Sequence, residues 1–259
     1  MRHTTLLPAR PPFGQRGYSL IELSVAMVIA VFLLGGLFSI LQSTRKTSTD
    51  QTVLAQLQDN ERMAMTMLTH TIQNTGYFSN PLAQTAVQAF PHDTVFTTDG
   101  QVMTGGTNNM THGSGDTITI RYQSESTGVV LGCLGTSDTP VNSSHEYQLF
   151  VQADAPNYTT SSLYCIKDGG TAVALVPNVS NMAITYGVDM TGGANALNGV
   201  TAYIPTANMS STYWPNVYSV SIQLTFPNPL YNLPGQSNTG QAPSITFTRV
   251  IGLPAHTGG

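Results

Sequence analysis

From Tyr18 to Leu41 the chain is almost wholly apolar, YSLIELSVAMVIAVFLLGGLFSIL, with a single acid, Glu22, near its start. As a helix rising 1.5 Å per residue, this stretch reaches about 36 Å, enough to cross a hydrocarbon core of about 30 Å. Beyond it, between Ser43 and Asn74, Val53, Leu57, Ala64, Leu68 and Ile72 recur at helical spacing, and Leu54, Met65 and Met67 widen the stripe. Asp59, Glu61 and Arg62 fall among the exposed positions. No proline interrupts residues 18–75, and Gly76 is placed to stop the helix in a left-handed conformation. The pattern predicts one helix over 18–75, apolar all round in its first half and amphipathic in its second. Met63, Met65 and Met67 are expected to pack against a sheet, because thioethers fill irregular gaps.

After residue 78 the period shortens to short alternating segments punctuated by Gly, Asn, Ser and Pro, which predicts antiparallel strands. The clearest is Ser219–Phe226, where Val220, Ile222, Leu224 and Phe226 alternate with Ser219, Ser221, Gln223 and Thr225. One face is buried and the other wet. Further strands are expected at Thr117–Gln123, Val129–Leu134, Glu146–Gln152, Leu163–Lys167, Val173–Val176, Met182–Val188 and Ile245–Val250. Residues 79–116 read as a long irregular connection, a kind of loop that is usually functional or disordered. The fold class is therefore α+β, a long amino-terminal helix packed on a mainly antiparallel β head.

Composition narrows the setting. Hydrophobic residues make up 41% of the chain, enough for a core, but only 8% are charged, against about 25% in a typical soluble domain. A surface of Ser, Thr, Asn and Gln suits an exported β-rich protein better than a cytosolic enzyme. The formal net charge is −4 and no basic cluster follows residue 46, so the cationic surface that nucleic-acid binding requires is absent from the pattern. Cys133 and Cys165 are either a buried reduced pair or a disulfide; export favours the disulfide. That bond would stabilise the fold by roughly 3–4 kcal/mol in the chain-entropy description.

The first seventeen residues, MRHTTLLPARPPFGQRG, are basic, with Arg2, Arg10 and Arg16 and no acid. This asymmetry predicts a cytoplasmic amino terminus and an exported remainder. An ordinary secretory signal would be followed by small residues of the A-x-A type, whereas QSTRKTSTD follows here. A plain anchor leaves Glu22 unexplained, since a carboxylate in an apolar span usually marks a functional partner. A buried core helix has no use for a basic leader. Gly17-Tyr18-Ser19-Leu20-Ile21-Glu22 resembles the type IV prepilin motif. The resemblance implies that an inner-membrane prepilin peptidase cuts after Gly17 and methylates the new amino group of Tyr18, a position where relatives usually carry Phe. Glu22 would then neutralise the amine of its own or a neighbouring subunit, so that neither charge is stranded, and thereby set axial register. Gly35 and Gly36 weaken the helix by roughly 1 kcal/mol each relative to alanine. They are either the site of the unwinding that the resemblance implies within a fibre or a surface for tight helix packing.

Later segments are similar to the PilW family of minor pilins. Thr69–Phe78 resembles its helix exit, with His70 or Thr71 and Gln73 in place of the usual acid and arginine. Val179–Asp189 resembles its strand ending in Tyr-Gly-Val-Asp, and Trp214–Leu224 its tryptophan-led strand; Ile245–Leu253 matches the last strand loosely. The resemblance implies a leader over 1–17, a transmembrane and fibre-core half-helix over 18–41, an amphipathic half over 42–76 and a β-rich head over 77–259. It also implies a minor pilin of a type IV pilus, in a tip or initiation complex that promotes assembly and supports adhesion, twitching motility or DNA uptake. Its partners would be the prepilin peptidase, other minor and major pilins and the inner-membrane assembly platform. It would span the inner membrane once before reaching the pilus. A J-type pseudopilin of type II secretion and a tip adhesin are the alternatives.

No enzymatic constellation is expected. Gly113-Ser114-Gly115 is not a nucleophile elbow, and no glycine-rich phosphate loop precedes a helix. His92-Asp93 with His112 and Asp116 lacks the spacing of a compact metal site, and His145-Glu146 is expected to be solvated. The turn Asp189–Asn195, acid-rich in many relatives, has one carboxylate here, too few for calcium. No cofactor or metal is expected.

Overall fold

The computed structural model of the chain describes residues 17, 19–107, 115–125, 130–136, 138–191, 199–231 and 241–254. The chain divides into two units, residues 1–52 and 53–259. Helix α1 (Leu20–Gln73) begins in the first and ends in the second. It starts two residues after the expected position, on the carbonyl of Ser19, which accepts from the N–H groups of Glu22 and Leu23 at 3.0 and 3.2 Å. Thr44, Thr47, Thr49 and Thr52 each return a hydroxyl to the carbonyl four residues back. Short polar side chains that compete with helix elsewhere are accommodated in this way.

In the second unit α1 buries Leu57, Ala64, Met65, Leu68, Thr71 and Ile72, the stripe read from the sequence. Met67 packs on the same core, but Met63 is half exposed because it lies off the stripe. Gly76 ends the helix at φ 75°, the left-handed region that glycine enters without penalty. Its N–H leaves the helix ladder and donates to the carbonyl of Arg121 at 3.0 Å, fixing the exit to a strand.

The strands form two antiparallel sheets. One holds β1 (Met103–Thr107), β2 (Asp116–Gln123), β3 (Ser144–Ala153), β4 (Ser161–Lys167) and β5 (Val173–Pro177) in chain order. The other is ordered β7 (Ala202–Pro205), β6 (Asn181–Val188), β8 (Val217–Pro227), β9 (Ser244–Gly252). In β8 the side chains of Val220, Ile222, Leu224 and Phe226 are wholly buried and Gln223 is exposed, so the alternation holds from Val220 onward, but Ser219, expected on the wet face, is buried. A single core cluster unites the α1 stripe with both sheets and includes Trp214, whose ring meets Tyr186 edge-on at 4.9 Å.

Three expectations need correction. Residues 79–116 are not wholly irregular: α2 (Ala86–Ala89) is closed by a reciprocal capping box between Thr85 and Gln88, and β1 follows. The connection is anchored by Arg121, whose side chain is 2% exposed. Its guanidinium donates to the carbonyls of Phe90, Pro91 and Gln101 and to Asp93, and stacks 4.3 Å from the centre of the Phe96 ring. The described part of 129–134 (residue 129 lies outside it) holds no named strand; it is a turn that carries Cys133. The four-residue strand β7 is an addition.

Cys133 is joined to Cys165 of β4 by a disulfide, with the Cα atoms 6.5 Å apart. The side chain of Asp138 is fully buried. Its Oδ2 accepts from the hydroxyls of Tyr122 at 2.6 Å and Tyr147 at 2.5 Å, two rings stacked at 5.3 Å. Lys167 Nζ lies 2.7 Å from Oδ1, a close ion pair. Burial alone would raise the Asp138 pKa, but the Lys167 ammonium and the two tyrosine hydroxyls outweigh it and hold the group below its ordinary value.

The sheets meet at Gly115 and Asp116. Gly115 bridges to Met182, and Asp116 Oδ2 accepts from the N–H of Ile184 at 2.7 Å. Gly115 has φ +94°, and a Cβ there would stand 2.1 Å from the carbonyl oxygen of Met182. Gly115→Ala is expected to destabilise the second unit by about 2–4 kcal/mol, from left-handed strain plus displacement of a backbone that cannot yield. Thermal melting of the purified chain checks this.

Candidate functional site

The amino-terminal candidates lie on a bare helix. Between Leu20 and Leu41, fifteen large apolar side chains are each more than half exposed. Covering one such side chain is worth roughly 1.5–3 kcal/mol, so this segment as a whole favours lipid or other helices over water by tens of kcal/mol. It is long and apolar enough to cross a membrane. Glu22 stands exposed in the first turn of α1. In water a helix start favours an acid by about 0.3–1 kcal/mol, but in hydrocarbon an unpaired carboxylate is strongly disfavoured. The position is therefore tolerable only beside a cation or at the interface.

Gly17 is exposed just before the helix, and a Cβ added to it would meet nothing within 4 Å. Tyr18 lies outside the described residues; one helical turn of sequence separates it from Glu22. Gly35 and Gly36 are both helical, with open space where a Cβ would stand. Nothing in this chain's own packing excludes a side chain at any of the three glycines.

The other candidate residues are dispersed into structural roles. His92 Nδ1 contacts Asp99 at 2.6 Å, and backbone contacts with His92 are the first cause holding Asp99 below its ordinary pKa. Asp93 caps the N–H groups of Val95 and Phe96 and pairs with Arg121. Asp116 joins the sheets, and His112, Gly113 and Ser114 lie outside the described residues. His145 is buried, not solvated: its Nδ1 meets Asp168 at 2.8 Å and its Nε2 the carbonyl of Pro140 at 3.2 Å. Asp189 is buried and accepts from the N–H of Thr191 at 2.9 Å; residues 192–198 of that turn lie outside the described residues. Sequence reasoning missed the Asp138 cluster, whose members come from four separate places in the chain.

Two stretches of the chain match known families. Residues 148–249, from within β3 to β9, match the family described as type IV pilus-assembly protein W. Residues 13–38, which include Gly17, Tyr18, Glu22 and the glycine pair, match the prokaryotic N-terminal methylation motif. No curated protein matches. Among solved structures, a type IV-like pilin from Thermus thermophilus aligns with a TM-score of 0.39 and 12% identity over 78% of this chain and 98% of that one. The chain is thus similar to the type IV pilus-assembly protein W family over residues 148–249 and carries the prokaryotic N-terminal methylation motif at the start of its apolar helix.

Proposed function

We propose that this chain is a minor pilin that works at low abundance in a complex at the fibre tip that starts assembly, supporting adhesion, twitching or DNA uptake without catalysing a reaction. The observation that carries this is the lone carboxylate in the first turn of an otherwise bare apolar helix. The leader, with Arg2, Arg10 and Arg16, stays cytoplasmic while the β-rich part is exported. A prepilin peptidase cuts after Gly17 and methylates Tyr18, and the assembly platform then passes the helix to other pilins. There Glu22 meets a neighbour's amino terminus, and the apolar side chains leave lipid for protein. Gly35 and Gly36 give that helix a place to unwind.

The test separates processing from assembly. The Glu22→Val variant is expected to be cleaved normally but to be at least tenfold depleted from sheared pili, measured by immunoblot beside the major pilin. Unchanged entry of the variant removes the pairing argument. Deletion of the whole chain should lower the number of surface pili; an unchanged number, counted by electron microscopy, counts against the initiation role.

A further inference from the structure

We propose that a polar cleft beside the carboxyl-terminal end of α1 is a binding site for a neutral saccharide. The cleft has a volume of about 500 Å³ and is lined by Ser79, Asn80, Ala83, Gln84, Glu125 and Asn142. Three segments converge there: the turn after α1, the end of β2 and the approach to β3.

Ser79, Gln84, Glu125 and Asn142 are each held by one side-chain partner, and the last three keep a free group. Ser79 Oγ donates to Asn142 Oδ1 at 3.0 Å, which leaves Asn142 Nδ2 as a donor. Gln84 Nε2 donates to Gln123 Oε1 at 2.9 Å, leaving Gln84 Oε1 as an acceptor. Tyr77 Oη donates to Glu125 Oε2 at 2.8 Å, leaving Oε1. None of these free atoms has a partner among the described residues. Asn142 is further fixed by its backbone: it sits at φ 58°, and its N–H donates to the carbonyl of Ser124 at 2.9 Å. Asparagine enters this left-handed region more readily than most side chains. The result is one amide donor and two acceptors already in place.

Hydroxyl groups donate and accept at once, so a sugar satisfies all three free atoms together. The lining excludes other classes. Among the described residues no Lys, Arg or His lines the cleft, and Glu125 repels phosphate and sialic acid. A single carboxylate is too few for a hard cation. Ala83 is the one apolar residue of the six, so a greasy ligand gains little.

The test is saturation-transfer NMR on the full chain in a sugar-free zwitterionic detergent, with lactose, cellobiose, chitobiose and 3′-sialyllactose as probes. Binding of at least one neutral disaccharide at millimolar concentration is expected, with affinity lowered about tenfold by Glu125→Gln and by Asn142→Asp, since each removes a group that bonds the ligand. Retained melting temperature in both variants separates this from unfolding. Absence of transfer from every neutral probe at tens of millimolar overturns the proposal. So does binding that both variants leave unchanged, or preference for the sialylated probe. None of these outcomes bears on cleavage at Gly17 or on fibre entry.

Discussion

Replacing Gly17 with leucine leaves the chain in the membrane as full-length precursor, with no detectable amino terminus at Tyr18. The expectation is close to all-or-none because the substitution acts on one partner only. Among the described residues a Cβ at position 17 meets nothing, so folding of the β-rich unit and insertion of the apolar helix are expected to be untouched. What changes is the fit of the peptide in a protease cleft. Co-expression with a prepilin peptidase, followed by mass measurement of the amino-terminal peptide, reads the outcome. Processing of the leucine variant at the wild-type rate refutes the assignment of the cut, and an unmethylated but cleaved wild-type peptide refutes the modification of Tyr18 alone.

The second large effect concerns stability. Asp138→Ala leaves the Lys167 ammonium and the hydroxyls of Tyr122 and Tyr147 without their acceptor. Breaking a buried pair from one side costs roughly 3–5 kcal/mol, and the lower end applies because the Lys167 side chain is a quarter exposed. For a unit of this size that corresponds to a fall in Tm of roughly 6–12 °C. Asp138→Asn, which still accepts from the tyrosines, should lose less. The acid dependence has a definite sign. Asp138 is held below its ordinary value in the folded chain, so its contribution is complete above the unfolded carboxylate pKa of about 3.9 and is lost as pH falls through the folded value. Melting curves at pH 7 and pH 3 should therefore converge between wild type and Asp138→Asn. A difference that stays constant between the two pH values would sink this account.

The elements legible in the sequence are those whose periodicity their own side chains carry. Helix α1 and strand β8 are of this kind, since a buried stripe or an alternating face repeats along each segment. Gly76 was legible because a left-handed stop selects for glycine. Strand β1 was not, because Gly105 and Gly106 leave two of its five positions without a side chain to show which way they face. Strand β7 is four residues long, too short for a period. The capping box at Thr85 and Gln88 was open to reading from its spacing. Among the proposed site residues, Gly17 and Glu22 form a motif visible in the sequence because they lie within six consecutive residues and need no folding to come together. The Asp138 cluster was hidden, since Tyr122, Tyr147 and Lys167 reach it only once β2, β3 and β4 are paired.

Arg121 has a consequence for how the connection after α1 can vary. Its guanidinium grips that segment mainly by main-chain oxygens, those of Phe90, Pro91 and Gln101. Every amino acid supplies such an oxygen. The outward-facing side chains of the segment, Val87 and Val95 among them, are thus uncoupled from its anchorage. Mutational drift can rewrite what this patch displays to the outside while the fastening underneath stays the same.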